Sequence, residues 1–328
     1  MNRRHAVRLG ATTLAALAAL PFSRDAFAGF DGTMRVLCSG PAGSIPDLVA
    51  RAVGDQLFAA RGRRAVVDNR PGAAGQLSVS ALKAAPSDGS TLLLAQGAIA
   101  TVYPYLYTKL GYDPTLDLQP VSLASEMSLG LAMGPAVPAE LATLADFIAW
   151  VRQHPAAANI GSPGTGTLPH LLAAMLFHGA AVAWQHIAYS GGPPAMNDLL
   201  GGQIAGLVLP EGLLRQHHAA RRIRVLATSG PARSAYMPDV PSFVEQGRPD
   251  LVVKEWFAFF APRGTPKYTV ADVAANLQEA IARPELSALF AEAGMMAVSS
   301  EPHLLVARIA SEQRYWQPLV RTLGIHVQ

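Results

Sequence analysis

The chain has 328 residues, a formal net charge of +3 and a single cysteine, Cys38. This length exceeds one ordinary hydrophobic core and predicts two lobes, while one cysteine excludes an internal disulfide. Four of the 26 basic residues and one of the 23 acidic residues lie in the first 28 positions, which leaves 22 of each and no whole-chain bias towards nucleic acid or anionic membranes.

The N-terminus has the pattern of an export signal. Arg3, Arg4 and nearby basic residues precede an apolar run at 9–20, and small residues precede a cleavage site near Ala28. A membrane anchor is the alternative, but about a dozen apolar residues are too few for a bilayer that needs ~20. We therefore predict a signal peptide at residues 1–28. The Arg3-Arg4 pair imperfectly resembles a twin-arginine signal, so the export route stays open.

Beyond the signal, short apolar runs alternate with stretches of helical period, which is typical of an α/β protein. A strand near 35–39, whose Cys38 is expected to be a buried core thiol, precedes a helix from Pro46. Further on, a capped helix begins at Thr143 and a strand at 158–160 precedes a helix with a clean apolar stripe. The pattern predicts open sheets.

One sequence feature occurs twice along the chain. A loop of glycine and hydroxyl residues runs into a helix N-terminus at 40–47 and again at 161–169. The first turn of a helix has unpaired N–H groups and a partial positive charge, so it can receive an anion. Glycines would let the backbone approach that anion. The alternative is that each loop merely caps its helix.

Other site motifs are excluded by their spacing. The chain has no phosphate-binding loop ending in Gly-Lys-Ser/Thr, no Gly-x-Ser-x-Gly elbow, and the glycines at 161–166 stand in the wrong order for a dinucleotide. The histidines lack zinc-site spacing, so we expect neither metal nor cofactor. His170 is either a pocket donor or a cap, and Tyr189 is a candidate phenol in the pocket.

Several short motifs resemble the receptor family of tripartite tricarboxylate transporters, also called the Bug family of periplasmic binding proteins. Their number, order and spacing, more than any one of them, identify the family. They lie at residues 67–75, 84–92, 112–114, 118–121, 164–171, 198–203 and 237–242.

The resemblance implies the two-lobed type II periplasmic binding protein fold, in which each lobe is a mixed sheet flanked by helices. We expect lobe 1 at residues 29–130 plus 252–328 and lobe 2 at 131–251, with strands near 120–133 and 252–261 crossing between them. Such receptors hold a carboxylate with loop amides, hydroxyls and waters. Carried over by position, the ligand-binding residues are Ala42, Gly43, Ser44, Asp47, Gln96, Gly97, Ala98, Thr165, Gly166, Thr167, His170, Tyr189 and Ser190.

The chain also departs from the family pattern. Ser44 replaces the second of two glycines, and residues 208–210 read Val-Leu-Pro where the family has Phe-Asp-Asn. Loss of that aspartate removes a partner for a ligand ammonium. The departure favours a plain or aromatic carboxylate over an amino acid.

Together these features predict a periplasmic receptor, monomeric and not an enzyme, that closes on a small carboxylate and delivers it to a membrane transporter. Two alternatives remain. One is a ligand-binding co-receptor for a membrane sensor kinase. The other is a periplasmic enzyme acting on a carboxylated substrate, for which Asp47 and His170 are the candidate catalytic groups.

Overall fold

The computed structural model describes residues 32–62 and 64–327. The signal peptide predicted at residues 1–28, with its cleavage site near Ala28, lies outside the described residues. None of the helices in this part of the chain combines the length and the apolarity needed to cross a membrane.

Hydrogen bonds join the strands in the continuous order β2-β1-β3-β9-β4-β7-β5-β6, and β8 and β10 also pair with β4. Parallel pairs join β1 to β2 and β3, and β5 to β6 and β7, whereas β9 and β4 run antiparallel to their neighbours. The strands are β1 (Met34–Cys38), β2 (Ala65–Asn69), β3 (Thr91–Gln96), β4 (Leu118–Met133), β5 (Asn159–Ser162), β6 (Gln185–Ala188), β7 (Gly206–Pro210), β8 (Arg224–Thr228), β9 (Lys254–Pro262) and β10 (Met296–Ala297).

Helices cover both faces of the sheets, which explains why five successive residues of β3 are buried rather than every second one. Cys38 is fully buried in β1, as predicted, and burial raises the pKa of its thiol to about 11. The helices are α1 (Ile45–Arg61), α2 (Gln76–Lys83), α3 (Ala98–Thr101), α4 (Tyr103–Leu106), α5 (Pro114–Asp117), α6 (Leu144–Gln153), α7 (Leu168–Gly179), α8 (Gly192–Leu200), α9 (Glu211–Ala219), α10 (Lys267–Ile281), α11 (Pro284–Glu292) and α12 (Pro302–Leu323).

Strand β4 belongs to two sheets. Its residues 118–128 pair with β9, and its residues 129–133 pair with β7 on one side and β8 on the other. We call β2, β1, β3, β9, β10 and the first part of β4 the first sheet, and β8, β7, β5, β6 and the remainder of β4 the second sheet. The strand expected near 120–133 therefore does pass from one sheet to the other.

The return crossing occupies only the first residues of the predicted segment 252–261. β9 pairs with β3 and with the first part of β4, so it lies wholly in the first sheet. The chain returns just before it, where the buried Ser229 accepts from the amide of Val253 at 3.1 Å and its hydroxyl donates to the Val253 carbonyl. The hydroxyl also accepts from the Leu129 amide at 2.9 Å, so Ser229 ties both crossings together. The lobe boundaries at 130–131 and 251–252 stay a prediction.

Candidate functional site

The first predicted loop follows β1 and leads into α1. Gly43 has φ +79° and open space around its Cα, so its conformation, not crowding, requires glycine. Its amide donates to Oδ2 of Asp47 at 2.9 Å, four residues on. The hydroxyl of Ser44 donates back to the carbonyl of Pro41 at 2.6 Å. Ser44 itself has φ −80°, which explains why serine can replace the second glycine here.

Asp47 is almost fully buried and holds this loop in place. Besides the Gly43 amide, its carboxylate accepts from Nε of Arg51 at 3.1 Å and from Nδ2 of Asn69 at 2.8 Å. Burial disfavours the charged carboxylate, but the hydrogen bonds from Arg51, Gly43 and Asn69 outweigh it and lower the pKa of Asp47. The carboxylate is therefore ionised and already satisfied by protein donors.

The second predicted loop has the same local arrangement. Gly166 also has φ +79°, and its amide donates to Nδ1 of His170 at 3.1 Å, again four residues on. The hydroxyl of Thr167 donates to the carbonyl of Gly164 at 2.8 Å, as Ser44 does to Pro41. Of the two roles predicted for His170, pocket donor or cap, this hydrogen bond agrees with the cap, because the ring accepts from the loop backbone.

Both loops leave the start of their helices open. Ser44 and Thr167 are the N-cap residues of α1 and α7, yet neither side chain accepts a hydrogen bond from the first turn. Their hydroxyls donate to carbonyls instead. The first-turn amides of two full-length helices therefore keep their capacity to bind an anion.

Two stacked histidine side chains, those of His170 and His186, support the second loop. The rings of His170 and His186 lie 3.6 Å apart at 12°, and Nε2 of His186 lies 2.8 Å from Oγ of Ser162. Burial lowers the pKa of His170 to about 3, with a further contribution from His186, and burial lowers the pKa of His186 to about 4. Both rings are therefore neutral at ordinary pH, as an imidazole nitrogen that accepts from an amide must be.

The third predicted segment, residues 96–98, lies beside the first loop because β1 and β3 are parallel neighbours. Oε1 of Gln96 accepts from the hydroxyl of Ser39 at 2.9 Å, and its Nε2 donates to the carbonyl of Ala74 at 2.6 Å. Ala73 and Ala74 both have positive φ, 45° and 52°, which for alanine is a strained turn. Ala98 is buried at the start of α3.

Tyr107 connects the two sides of the site. Its hydroxyl lies 3.8 Å from the point where a Cβ on Gly166 would stand, and the side chain of Gln76 in α2 interacts with it, which opposes the rise in the pKa of Tyr107 caused by burial. Its ring packs edge-on against Tyr103, with centroids 5.1 Å apart, and Tyr103 in turn is bonded to Gln96. A line of contacts thus runs from the end of β3 to the loop before α7.

The remaining predicted residues lie next to the second loop. The Tyr189 amide donates to the carbonyl of Ser162 at 3.0 Å, and its hydroxyl donates to Asp198 at 2.8 Å. Ser190 and Ala42 are exposed, and Thr165 is partly exposed. Contacts through Tyr103 and Tyr107 therefore connect Gln96 to Gly166, whereas Ala42, Gly43 and Ser190 lie at the surface.

The sequence-based prediction lacks several contributors to the site, including Ser39, Gln76, Ala74, Tyr107 and His186. A position at the end of a strand could have indicated Ser39, since binding sites of α/β proteins gather at the carboxyl ends of parallel strands. Nothing in the local sequence marks Tyr107, because its role depends on contacts with segments distant along the chain. Within the described residues, no group of three metal-ligating side chains is assembled.

Two curated relatives resemble the chain over most of its length. A UPF0065 protein of Pseudomonas sp. (strain P51) is 31% identical over 283 residues, which is 85% of this chain and 83% of that protein. BugT of Bordetella pertussis (strain Tohama I) is 30% identical over 307 residues, which is 93% of each chain.

Solved structures of periplasmic binding proteins have the same fold. BugD superposes with a TM-score of 0.82 at 25% identity, covering 91% of this chain and all of that one. MatC from Rhodopseudomonas palustris, solved with bound malate, superposes with a TM-score of 0.80 at 25% identity, covering 88% of this chain and 99% of that one.

A family model described as the tripartite tricarboxylate transporter family receptor matches residues 49–325, which include β4, the loop before α7 and most of α1, but not the loop that precedes α1. The relatives and the fold agree with that match, and the proteins they represent are solute-binding proteins rather than enzymes. The chain belongs to the tripartite tricarboxylate transporter receptor family, a family of periplasmic solute-binding receptors.

Proposed function

We propose that this receptor captures a small carboxylate between its two sheets by closing about β4, and that a tripartite tricarboxylate-type membrane transporter takes the ligand from the closed form. The signal peptide at residues 1–28 would deliver it to the periplasm. One carboxylate group would bind at the loop before α1 and the other end of the ligand at the loop before α7.

The observation that carries this proposal is the shared design of the two loops. In each, a glycine with φ +79° donates its amide to a side chain four residues on, and the N-cap hydroxyl donates to a carbonyl. These contacts fix the backbone while the amides at the helix start remain available. A rigid set of backbone donors binds a carboxylate without the ordering cost of long side chains.

The acidic groups of the site bear on the class of carboxylate. Asp47 is occupied by Arg51, Asn69 and the Gly43 amide, and Asp198 accepts from Tyr189. Leu209, at the position where the family has aspartate, is fully buried among apolar side chains. A ligand ammonium would find these carboxylates engaged, so we infer a plain or aromatic carboxylate rather than an amino acid.

MatC, at 25% identity, was solved with malate, and that ligand supports a C4 dicarboxylate as the first compound to examine. A co-receptor for a membrane sensor kinase would bind the same ligand. The two roles separate genetically, because a receptor for import requires the two membrane subunits for uptake and a sensor co-receptor does not.

A thermal-shift screen of the purified chain from residue 29 tests the binding role. The screen would include C4 to C8 dicarboxylates, citrate, aromatic carboxylates and amino acids. A ligand at 100 times its Kd should add ~2.7 kcal/mol to the unfolding free energy, which is readily visible. A saturable shift with one carboxylate class supports the proposal. Stabilisation by neutral compounds alone contradicts it, and a preference for an amino acid contradicts the inferred ligand class.

Two matched glycine variants then test the site. Gly43 and Gly62, at opposite ends of α1, both have positive φ, +79° and +67°, and open space around them. Gly43→Ala and Gly62→Ala should therefore cost the same ~1 kcal/mol of stability through backbone strain. Only Gly43→Ala should weaken carboxylate binding, because only it shifts the amides of the binding loop. Equal affinities would remove this loop from the site.

A further inference from the structure

The two sheets also touch on a surface that the binding site does not use. The N-terminal end of α9, a helix that accompanies the second sheet, packs on the C-terminal end of α11, a helix that accompanies the first sheet. The backbones there are so close that a Cβ added to Gly294 would lie 2.6 Å from Cα of Gly212. We call this surface, formed by residues 211–215 and 236 against residues 291–295, the hinge contact.

Two side chains on the second sheet's side of the hinge contact donate hydrogen bonds to main-chain carbonyls on the other side. Nη2 of Arg215 donates to the carbonyl of Glu292 at 2.7 Å, and the hydroxyl of Tyr236 donates to the carbonyl of Met295 at 2.9 Å. The Arg215 bond places a positive charge on the C-terminal end of α11, where the helix dipole favours it.

The hinge contact lies beside the point where β4 changes sheets. Pro210, which precedes α9, pairs with Leu129 of β4, and Met296, which follows the contact on the other side, pairs with Glu126. Only two residues of β4, Met127 and Ser128, lie between the two pairings. A rotation of one sheet relative to the other about this strand must therefore change the hinge contact.

Glu211 is buried inside this contact, with 2% of its surface exposed and its Cγ 3.8 Å from the Cβ position of Gly294. Its Oε2 has no hydrogen-bond partner within the described residues. Burial raises the pKa of Glu211 to about 7, although a hydrogen bond with Ser234 and the charge of Arg215 both oppose the rise. Tyr236 also faces it, and across the contact the end of α11 supplies Glu292, whose side chain is exposed.

We propose that the hinge contact is a pH-sensitive latch, in which Glu211 keeps the two sheets packed while it carries its proton and loosens them when it loses that proton. A neutral carboxyl can remain buried with one oxygen unpaired at moderate cost. A buried carboxylate with the same unpaired oxygen is far more costly, and admission of water or separation of the surfaces relieves that cost.

The direction of the effect follows from linkage. An acid whose pKa is higher in the packed form than in the open form binds its proton more tightly when packed. The packed form is therefore favoured at acidic pH, and this preference is lost as the pH rises from the ordinary glutamate value of 4.5 through about 7.

Pulsed electron double resonance measures the distance between two spin labels placed across the hinge contact, and it needs no ligand. Labels on cysteines introduced at the exposed positions Gln216 and Ala288 lie on α9 and α11, and the native Cys38 is fully buried and should not react. Between pH 5.5 and 8.5 the distance distribution of the otherwise wild-type chain should lengthen and broaden. In Glu211→Gln, which is neutral at every pH, it should stay short and unchanged.

The exposed neighbour provides the matched control, since Glu292→Gln should retain the wild-type response. A pH-independent distance in the wild type, or the same pH response in Glu211→Gln, would overturn the proposal. If Glu211→Gln fails to fold, carboxyl titration by carbon NMR in the wild type decides: a titration near pH 7 supports the latch, and one near 4.5 refutes it. None of these outcomes depends on the carboxylate-binding role.

Discussion

The indole ring of Trp256 occupies the space that a Cβ on Gly97 would need. The Gly97 amide donates to the Trp256 carbonyl at 2.9 Å, and the indole Nε1 donates to the two carboxylate oxygens of Glu312 at 2.9 and 3.0 Å. The guanidinium of Arg308 lies over the same ring, 4.9 Å from its centroid. One predicted binding residue is thus fixed, through a single tryptophan, to helix α12.

Gly97→Ala should therefore destabilise the chain by ~1–3 kcal/mol, because the added methyl group must displace a fully buried indole. Urea unfolding followed by tryptophan fluorescence measures this change. Gly111→Ala is the control, since a Cβ at Gly111 meets nothing within 4 Å and its effect should stay within ~0.5 kcal/mol. Equal costs for both variants would contradict the close packing of Trp256.

Tyr107→Phe should weaken carboxylate binding by about three- to tenfold and leave the fold intact, the usual range for one hydrogen bond. The reason is that the Tyr107 hydroxyl joins Gln76 to the region of Gly166, where the two sides of the proposed site meet. Calorimetric titration with the carboxylate found in the thermal screen measures the change. Tyr105→Phe is the matched control on the same segment, and a similar loss there would argue against a specific role for Tyr107.

The stability of the chain should fall as the medium becomes acidic, because of His170. Burial keeps the pKa of His170 near 3 in the folded protein, whereas the unfolded chain takes up a proton near 6.5. Protons therefore favour the unfolded chain between these values. At pH 4.5 this single residue should cost about 2 kcal/mol relative to pH 7.

Urea unfolding of His170→Phe at both pH values provides the comparison. The phenyl ring can still stack on His186 but cannot be protonated, so its loss between pH 7 and 4.5 should be smaller than that of the wild type. The exposed His303 is a suitable control, and His303→Gln should follow the wild type. An unchanged pH dependence in His170→Phe would show that His170 is not kept neutral by burial.

Thr143→Ala should cost ~1 kcal/mol of stability and leave carboxylate binding unchanged. Thr143 and Asp146 form a reciprocal capping box at the start of α6, with the Asp146 amide donating to the Thr143 hydroxyl at 3.1 Å. Thermal unfolding with and without ligand separates the two effects. A loss of affinity would connect α6 to the binding site, contrary to its place in the fold.

Local chemistry explains which features the sequence could predict. The cap at Thr143, the buried Cys38 and both loop–helix units depend on residues within about five positions of one another, so the sequence predicts each of them. The position of Tyr107 beside Gly166 depends on the approach of segments some 60 residues apart. Its neighbouring residues are those of an ordinary helix end, so no local pattern indicated it.

The crossing between sheets shows the same limit. The family resemblance predicts crossings near 120–133 and 252–261, and the structure confines the second crossing to the start of its segment, where Val253 pairs with Ser229. Only hydrogen-bond pairing decides which residues of such an extended segment cross between the sheets. The wholly buried Glu211 was likewise indistinguishable from any glutamate in the first turn of a helix.

The backbone character of the two binding loops has a consequence for mutagenesis. If amides at the starts of α1 and α7 make the contacts, no side chain can be deleted to remove them, and alanine scanning would identify the supports Asp47 and His170 as if they were the contacts. Proteins built in this way can change ligand preference through small shifts of loop shape with few substitutions in the site. Sequence comparison of the loops alone would then be a poor guide to the ligand, and replacement of single amides by esters would be the direct probe.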